Sequence, residues 1–147
     1  MEKLTLDFGV REFEINGNGV LRFNPGDPNV YSRLVNALDK IKGVENWLVE
    51  QSKAVPQNDG AAVLRLMAQA DEKMKDILAW VFGGENDFDK LLCGVNLMAV
   101  CTNGERAITN LLNALTPIVQ EGAENFAKQQ VNTAVEDARL ARAQREQ

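Results

Sequence analysis

Histidine is absent from this chain, which removes the side chain that most often serves as a general base or metal ligand near neutral pH. Only two cysteines occur, Cys93 and Cys101, too few for a disulfide scaffold. Eight positions apart and without histidine, they do not form a zinc site. We therefore expect both thiols to be reduced and buried in the core, where unpaired cysteine is common.

Long apolar runs are also missing. No stretch approaches the roughly 20 apolar residues that span a bilayer, and the first thirteen residues, MEKLTLDFGVREF, lack the apolar region of a signal peptide. The net charge of −5 does not supply the positive field that phosphate binding needs. These absences predict a cytosolic protein that binds neither membrane nor nucleic acid.

Catalytic motifs are equally scarce. No glycine-rich loop precedes Lys-Ser or Lys-Thr, and the glycine pair Gly17 and Gly19 lacks the third glycine of a dinucleotide fingerprint. The acidic residues Glu85, Asp87 and Asp89 lack the spacing of a calcium-binding EF-hand loop. We therefore expect no enzyme activity, no cofactor and no metal, and a function exerted through binding surfaces.

The clearest pattern in the sequence is an amphipathic helix over residues 61–82. Apolar residues recur there at steps of three or four, and Gly83-Gly84 offers the positive φ that ends helices. Off the stripe lie charged and polar residues expected to face water, Lys75 among them. The stripe consists of Val63, Met67, Ala70, Met74, Ile77, Leu78 and Val81.

The first 24 residues alternate apolar and polar side chains, which is typical of strands. We expect a strand at Leu4–Phe8 and a hairpin pairing Arg11–Asn16 with Gly19–Asn24 around the Asn-Gly turn. The phase changes at Gly9, which indicates a bulge or short turn. Two roles remain open for this hairpin: a lid on the helical core, or an edge that joins subunits or partners by strand addition.

Further helices follow from their caps and breakers. One runs from about Pro28 to Ser52 behind the cap Asp27. A short helix follows Asn86 or Asp87, carries Phe88, Leu91 and Leu92, and ends at Gly94. Residues 95–101 fit either a helix or a buried extended segment.

The sequence predicts two further helical stretches after residue 101. Thr102 and Glu105 have the capping-box spacing before a helix whose apolar face includes Ile108 and Leu115. Pro117 is expected to kink that helix or begin a new segment, and Gly122 to break it.

The last 25 residues, 123–147, have strong helix propensity and a seam of small residues spaced four and three apart. The seam consists of Ala127, Val131, Ala134, Ala138 and Ala141. Arg139, Arg142 and Arg145 near its end either offset the negative end of the helix dipole or form a basic face for an acidic partner.

Together these patterns predict one α+β domain over residues 1–147. An N-terminal hairpin or small antiparallel sheet (1–24) precedes a bundle of about four or five helices, with a helical core at 28–122 and a C-terminal helix with a frayed end at 123–147. Candidate binding residues are those expected near the sheet edge, the two tryptophans and the terminal arginines: Phe8, Val10, Phe13, Trp47, Trp80, Arg139, Arg142 and Arg145.

Three blocks of the sequence carry a family resemblance. They are EINGNGVLRFNPGDPNVYSRL (14–34), AVLRLMAQADEKMKDILAWVFGGENDFDKLLCGVN (62–96) and NGERAITNLLNALTPIVQEG (103–122). With the arginine-containing tail, they cover most of the chain and resemble small tail-morphogenesis proteins of Gram-positive phages and prophages, which are similar to tail assembly chaperones.

This resemblance implies a chaperone that shields a long helical tape measure protein in the host bacterial cytoplasm until tube subunits polymerise around it. Its partners would be the tape measure protein and further copies of itself. Two other functions remain open: a structural tail or virion component, and a phage protein that engages a host defence system.

Overall fold

The computed structural model describes residues 1–145 as an N-terminal β-hairpin followed by four helices, so the α+β prediction is confirmed. The strands are β1 (Arg11–Glu14) and β2 (Val20–Phe23). The helices are α1 (Pro28–Lys53), α2 (Gly60–Phe82), the single turn α3 (Phe88–Leu91) and α4 (Ala107–Arg145). In this described part of the chain, no helix is both long and apolar enough to traverse a bilayer.

The first three helices begin where the sequence provides a cap. The Asp27 carboxylate accepts a hydrogen bond from the Asn29 amide and Pro28 occupies the first turn of α1, as predicted. Asp59 caps α2 in the same way through the Ala62 amide, and Asp87 caps α3. Gly83, with φ of +116°, ends α2.

Helices α1 and α2 form an antiparallel pair at the centre of the molecule. The Arg33 side chain near the start of α1 donates to the Val81 carbonyl near the end of α2, at 3.1 Å. The first half of α4 and the inner face of the hairpin complete the core. Its fully buried large side chains are Leu21, Met74, Leu78, Val81, Leu97 and Val119.

The hairpin packs on the helices through a row of aromatic rings. Phe13 of β1 stacks on Phe23 of β2 with ring centroids 5.1 Å apart, and Phe23 meets Phe82 of α2 edge-on at 4.8 Å. Phe88 continues the row at 5.9 Å from Phe82. This row ties a two-stranded sheet, which is marginal alone, to the helical core.

Several local predictions are wrong. Residues 4–8 form no strand, because among the described residues no second strand pairs with them. Helix α4 begins at Ala107 rather than after Thr102, since the Cys101–Arg106 segment folds into turns closed by an isolated bridge between Val100 and Arg106. Residues 95–101, for which the sequence left helix and extended segment open, form turns and irregular backbone instead.

Of the two alternatives predicted at Pro117, a kink or a new segment, the new segment is wrong, and so is the break at Gly122, because α4 is continuous through both residues. Proline removes one hydrogen bond from a helix, and here buried Leu115 and Val119 hold the turns on either side of it against the core. The prediction that both cysteines are buried is likewise wrong. Neither forms a disulfide, but Cys93 is exposed and Cys101 is half-buried.

Candidate interaction site

The turn between β2 and α1, residues 24–27, contacts both the N-terminal residues and the middle of α4. The Asn24 side chain donates to the Phe8 carbonyl at 2.9 Å and accepts from the Gly26 amide at 2.8 Å. Asn24 therefore holds the N-terminal residues against the turn. Pro25, next to it, is buried.

Helix α4 crosses the same turn at Gly122. A Cβ atom placed on Gly122 would overlap the Pro25 carbonyl and lie 3.0 Å from the Gly26 amide nitrogen. Only glycine allows this approach of helix backbone to loop backbone. The glycine that looked like a helix breaker is thus a packing residue.

Residues 1–10, named here the N-terminal arm, project from this turn and are all exposed. Their apolar side chains alternate along the arm, with Leu4 88%, Leu6 66%, Phe8 70% and Val10 52% exposed. Such alternation is typical of a strand with one covered face. Within the described chain, nothing covers this face.

Residues 124–145, named here the tail helix, form the second projection. Every residue of the tail helix is exposed, whereas the first half of α4 contributes Ile108, Leu111, Leu115 and Val119 to the core. A composition rich in Ala, Glu, Gln and Arg keeps such a segment helical without packing. Its exposed larger apolar residues are Phe126, Val131, Val135 and Leu140.

A cleft of about 480 Å³ lies between the start of β1, the turn and the base of the tail helix. It is lined by Arg11 at the start of β1, by the turn, and by Phe126 and Gln129 at the base of the tail helix. A second, mostly apolar groove of about 430 Å³ lies between the far ends of α1 and α2, beside Val49, Met67 and Met98.

The structure separates the predicted binding residues into three regions. Phe8 and Val10 lie on the arm, but Phe13 is half-buried and belongs partly to the core. Trp47 and Trp80 lie on α1 and α2, each under a lysine of the other helix: the Lys73 ammonium is 4.7 Å from the Trp47 ring centroid, and that of Lys40 is 3.7 Å from the Trp80 ring centroid. The two tryptophans therefore help to join α1 to α2.

The arginines form the third region, at the far end of the tail helix. Arg139, Arg142 and Arg145 are exposed, and Arg139 lies 3.8 Å from the Glu136 carboxylate one turn earlier. Arg142 and Arg145 stand in the last turn, where cations favour the helix dipole. Their position leaves both interpretations of this basic cluster open.

Sequence reasoning missed the role of Asn86, which it considered only as a helix cap. Its buried side chain accepts from the Arg22 amide at 2.9 Å and donates to the Arg22 carbonyl at 2.9 Å. A third bond reaches the Phe82 carbonyl at 3.0 Å. Asn86 thereby pairs with the outer edge of β2 as a neighbouring strand would.

The prediction that Lys75 faces water is also wrong, because this residue is only 8% exposed. Its ammonium lies 2.8 Å from the Asp71 carboxylate and 2.7 Å from that of Asp89. Burial alone would lower the pKa of Lys75, but its bonds to the two carboxylates outweigh that effect and raise the pKa. Asp71 also accepts from the Leu97 amide at 2.7 Å, so the cluster fastens the α3–α4 connection to α2.

The arrangement offers surfaces for binding. In residues 1–145, no three Cys, Asp or Glu side chains are grouped as ligands for a metal ion. The fold presents an exposed arm, an exposed tail helix and a cleft beside the base of the tail helix.

Comparison with known proteins adds no relative, because no protein-family model, curated protein or solved structure matches the chain.

Proposed function

We propose that the protein is a non-enzymatic phage tail assembly chaperone that binds and shields the tape measure protein in the host bacterial cytoplasm. Two observations support this proposal. The sequence blocks at 14–34, 62–96 and 103–122 resemble tail-morphogenesis proteins of Gram-positive phages. The tail helix, all of whose residues are exposed, offers a surface suited to a helical partner.

The tail helix carries this proposal because its seam has the spacing of a coiled coil. Residues four and three apart return to the same face of a helix, and here that face begins Ala127, Val131, Ala134. Small side chains let a second helix approach closely. A long amphipathic helix, such as a tape measure protein provides, would cover this face.

Small residues also make each contact weak, because alanine buries little apolar area. Several copies bound side by side along one long helix would remain attached to it through multivalency. Tube subunits polymerising around the tape measure protein would then displace the copies one at a time. Weak single contacts are therefore suited to a shield that must be removed.

The test is co-expression with the tape measure protein from the same genome, followed by size-exclusion chromatography with light scattering. We expect a soluble complex under conditions in which the tape measure protein alone precipitates. Introducing Val131→Glu with Ala134→Glu places two charges on the seam of the tail helix and should abolish the complex. The matched control is Leu64→Glu, at a helical position 69% exposed on α2, which should leave it intact.

Other outcomes would replace this function with another. If the tape measure protein still aggregates while this protein elutes alone, the chaperone proposal fails. Presence of the protein in purified virions would then indicate a structural tail component. Co-purification with a host factor from infected cells would instead indicate a protein that engages host defence.

A further inference from the structure

The two edges of the hairpin differ. The Arg22 amide and carbonyl of β2 point away from β1, because both bond to the Asn86 side chain. Glu12 lies opposite Arg22 in the register, so its own amide and carbonyl point away from β2. The outer edge of β2 is therefore occupied, while the described chain leaves the outer edge of β1 open.

The N-terminal arm forms no strand in the described chain, but its apolar and polar residues alternate as those of a strand do. It places Leu4, Leu6 and Phe8 on one side and Lys3, Thr5 and Asp7 on the other. An open edge and an unpaired segment with strand alternation are complementary, since each has the backbone groups that the other needs.

The arm does not fit the open edge of its own chain. Folding back would require a tight loop at Phe8-Gly9. Hairpin loops of two residues favour a positive φ at the first loop position, or at both. Only Gly9, with φ of +70°, is in that region, and Phe8 is not. Asn24 also holds the Phe8 carbonyl against the turn.

We propose that the arm of one copy adds as an antiparallel strand to the β1 edge of a second copy of this chain. Charge complementarity selects the register. Leu4 opposite Phe13 places Lys3 opposite Glu14 and Thr5 opposite Glu12, whereas a shift of two residues that sets Leu6 opposite Phe13 places Asp7 against Glu12. Like charges directly opposite destabilise a sheet, and opposite charges stabilise it.

The same register continues the aromatic core. Phe13 is the half-buried outer member of the row that leads through Phe23 to Phe82, and the Arg11 guanidinium lies over it, 5.1 Å from the ring centroid. Leu4 of the second copy would cover its open side. The positive φ of Gly9 permits a bulge that brings the apolar face of the arm into phase with Phe13.

One alignment satisfies both arms. If Lys3 of one copy lies opposite Glu14 of the other, the reverse pair forms as well, so the contact is a closed two-fold dimer. Phe8 of each copy then lies opposite Gly9 of the other. The resulting sheet has four strands, and Asn86 of each copy occupies its outer edges, which stops further addition. This dimer does not rest on the proposed function.

Light scattering over a concentration series tests the dimer. The full chain should have twice the mass of the 16.2-kDa protomer at high concentration. Leu4→Lys with Leu6→Lys should leave a folded monomer, while Leu64→Lys, at a position as exposed as Leu6, should still dimerise. Lys3→Glu should raise the dissociation constant about two- to thirtyfold, because the ion pair occurs twice. Adding Glu14→Lys to the Lys3→Glu variant should return the dissociation constant to that of the native chain.

Disulfide trapping tests the register. In a background of Cys93→Ser and Cys101→Ser, copies with Lys3→Cys are mixed with copies carrying Glu14→Cys, and oxidation should join the two variants. Copies with Lys3→Cys mixed with copies carrying Glu85→Cys, on the α2–α3 loop, should stay separate.

Three results would overturn the proposal. The first is a monomer at every concentration. The second is a dimer that Leu4→Lys with Leu6→Lys leaves unchanged. The third is an intramolecular disulfide in monomeric chains that carry Lys3→Cys and Glu14→Cys together, which would show that the arm folds onto its own edge. Failure of tape measure binding with the dimer intact would refute only the proposed function.

Discussion

Gly122 of α4 lies against the Pro25 carbonyl so closely that any side chain at this position would displace one of the two backbones. Through this contact the long helix rests on the turn that also holds the arm. The exposed tail helix begins two residues later, so Gly122 and Pro25 define where the packed body ends.

Replacing Gly122 with alanine should destabilise the protein by about 1–3 kcal/mol, because overpacking outweighs the gain in helix propensity. The control is Gly43→Ala in α1, where nothing lies within 4 Å of the new Cβ. That variant should instead gain about 0.5–1 kcal/mol. Urea denaturation measures both free energies of unfolding. Equal stabilisation by the two substitutions would contradict the close contact.

Asn86→Ala should cost about 2–5 kcal/mol, because it leaves the Arg22 amide, the Arg22 carbonyl and the Phe82 carbonyl without their partner. Asn36→Ala, at an exposed position of α1, should change stability by less than about 0.5 kcal/mol. Hydrogen exchange of the Arg22 amide should also accelerate in the Asn86 variant. Unchanged exchange would argue against the edge-capping role.

The buried ion pair predicts an asymmetry between its two partners. Asp71→Ala removes the acceptor of the Leu97 amide and leaves the buried Lys75 ammonium with Asp89 as its one carboxylate partner, so it should cost about 2–5 kcal/mol. Lys75→Met should cost less, since Asp71 keeps its bond to Leu97 and the thioether fills the same space. Thermal and urea unfolding of both variants provides the comparison. A larger loss for Lys75→Met would show that the lysine, not the carboxylate, organises the cluster.

The raised pKa of Lys75 predicts a loss of stability in alkali. A group whose pKa is higher in the folded protein stabilises it fully below the unfolded value of about 10.4. This contribution disappears as the pH rises through the folded pKa. The stability difference between the native chain and Lys75→Met should therefore be constant from pH 7 to 9 and shrink above about pH 10.4. A stability difference that grows with pH would mean that folding lowers the pKa of Lys75, which would contradict the ion-pair geometry.

Much of the helical architecture could be read from the sequence. The stripe of α2 packs on the core from Met67 to Val81, although its first member, Val63, is exposed. The caps Asp27 and Asp87 and the Asn-Gly hairpin turn appear where the pattern placed them. Each depends on interactions within about four residues, which the order of amino acids determines directly. Phe8 and Val10, which the sequence offered as binding residues near a sheet edge, are exposed, but the strand assigned to residues 4–8 was not found.

The sequence by itself determined the helix periodicity, the caps and the hairpin, because these arise from near neighbours along the chain. Only the tertiary structure decided that Lys75 is buried, that Gly122 packs rather than breaks a helix, and that Asn86 bonds to Arg22 across 64 positions. It also left the arm without a partner strand. These outcomes depend on which distant segments meet, and local pattern does not encode the packing of one segment against another.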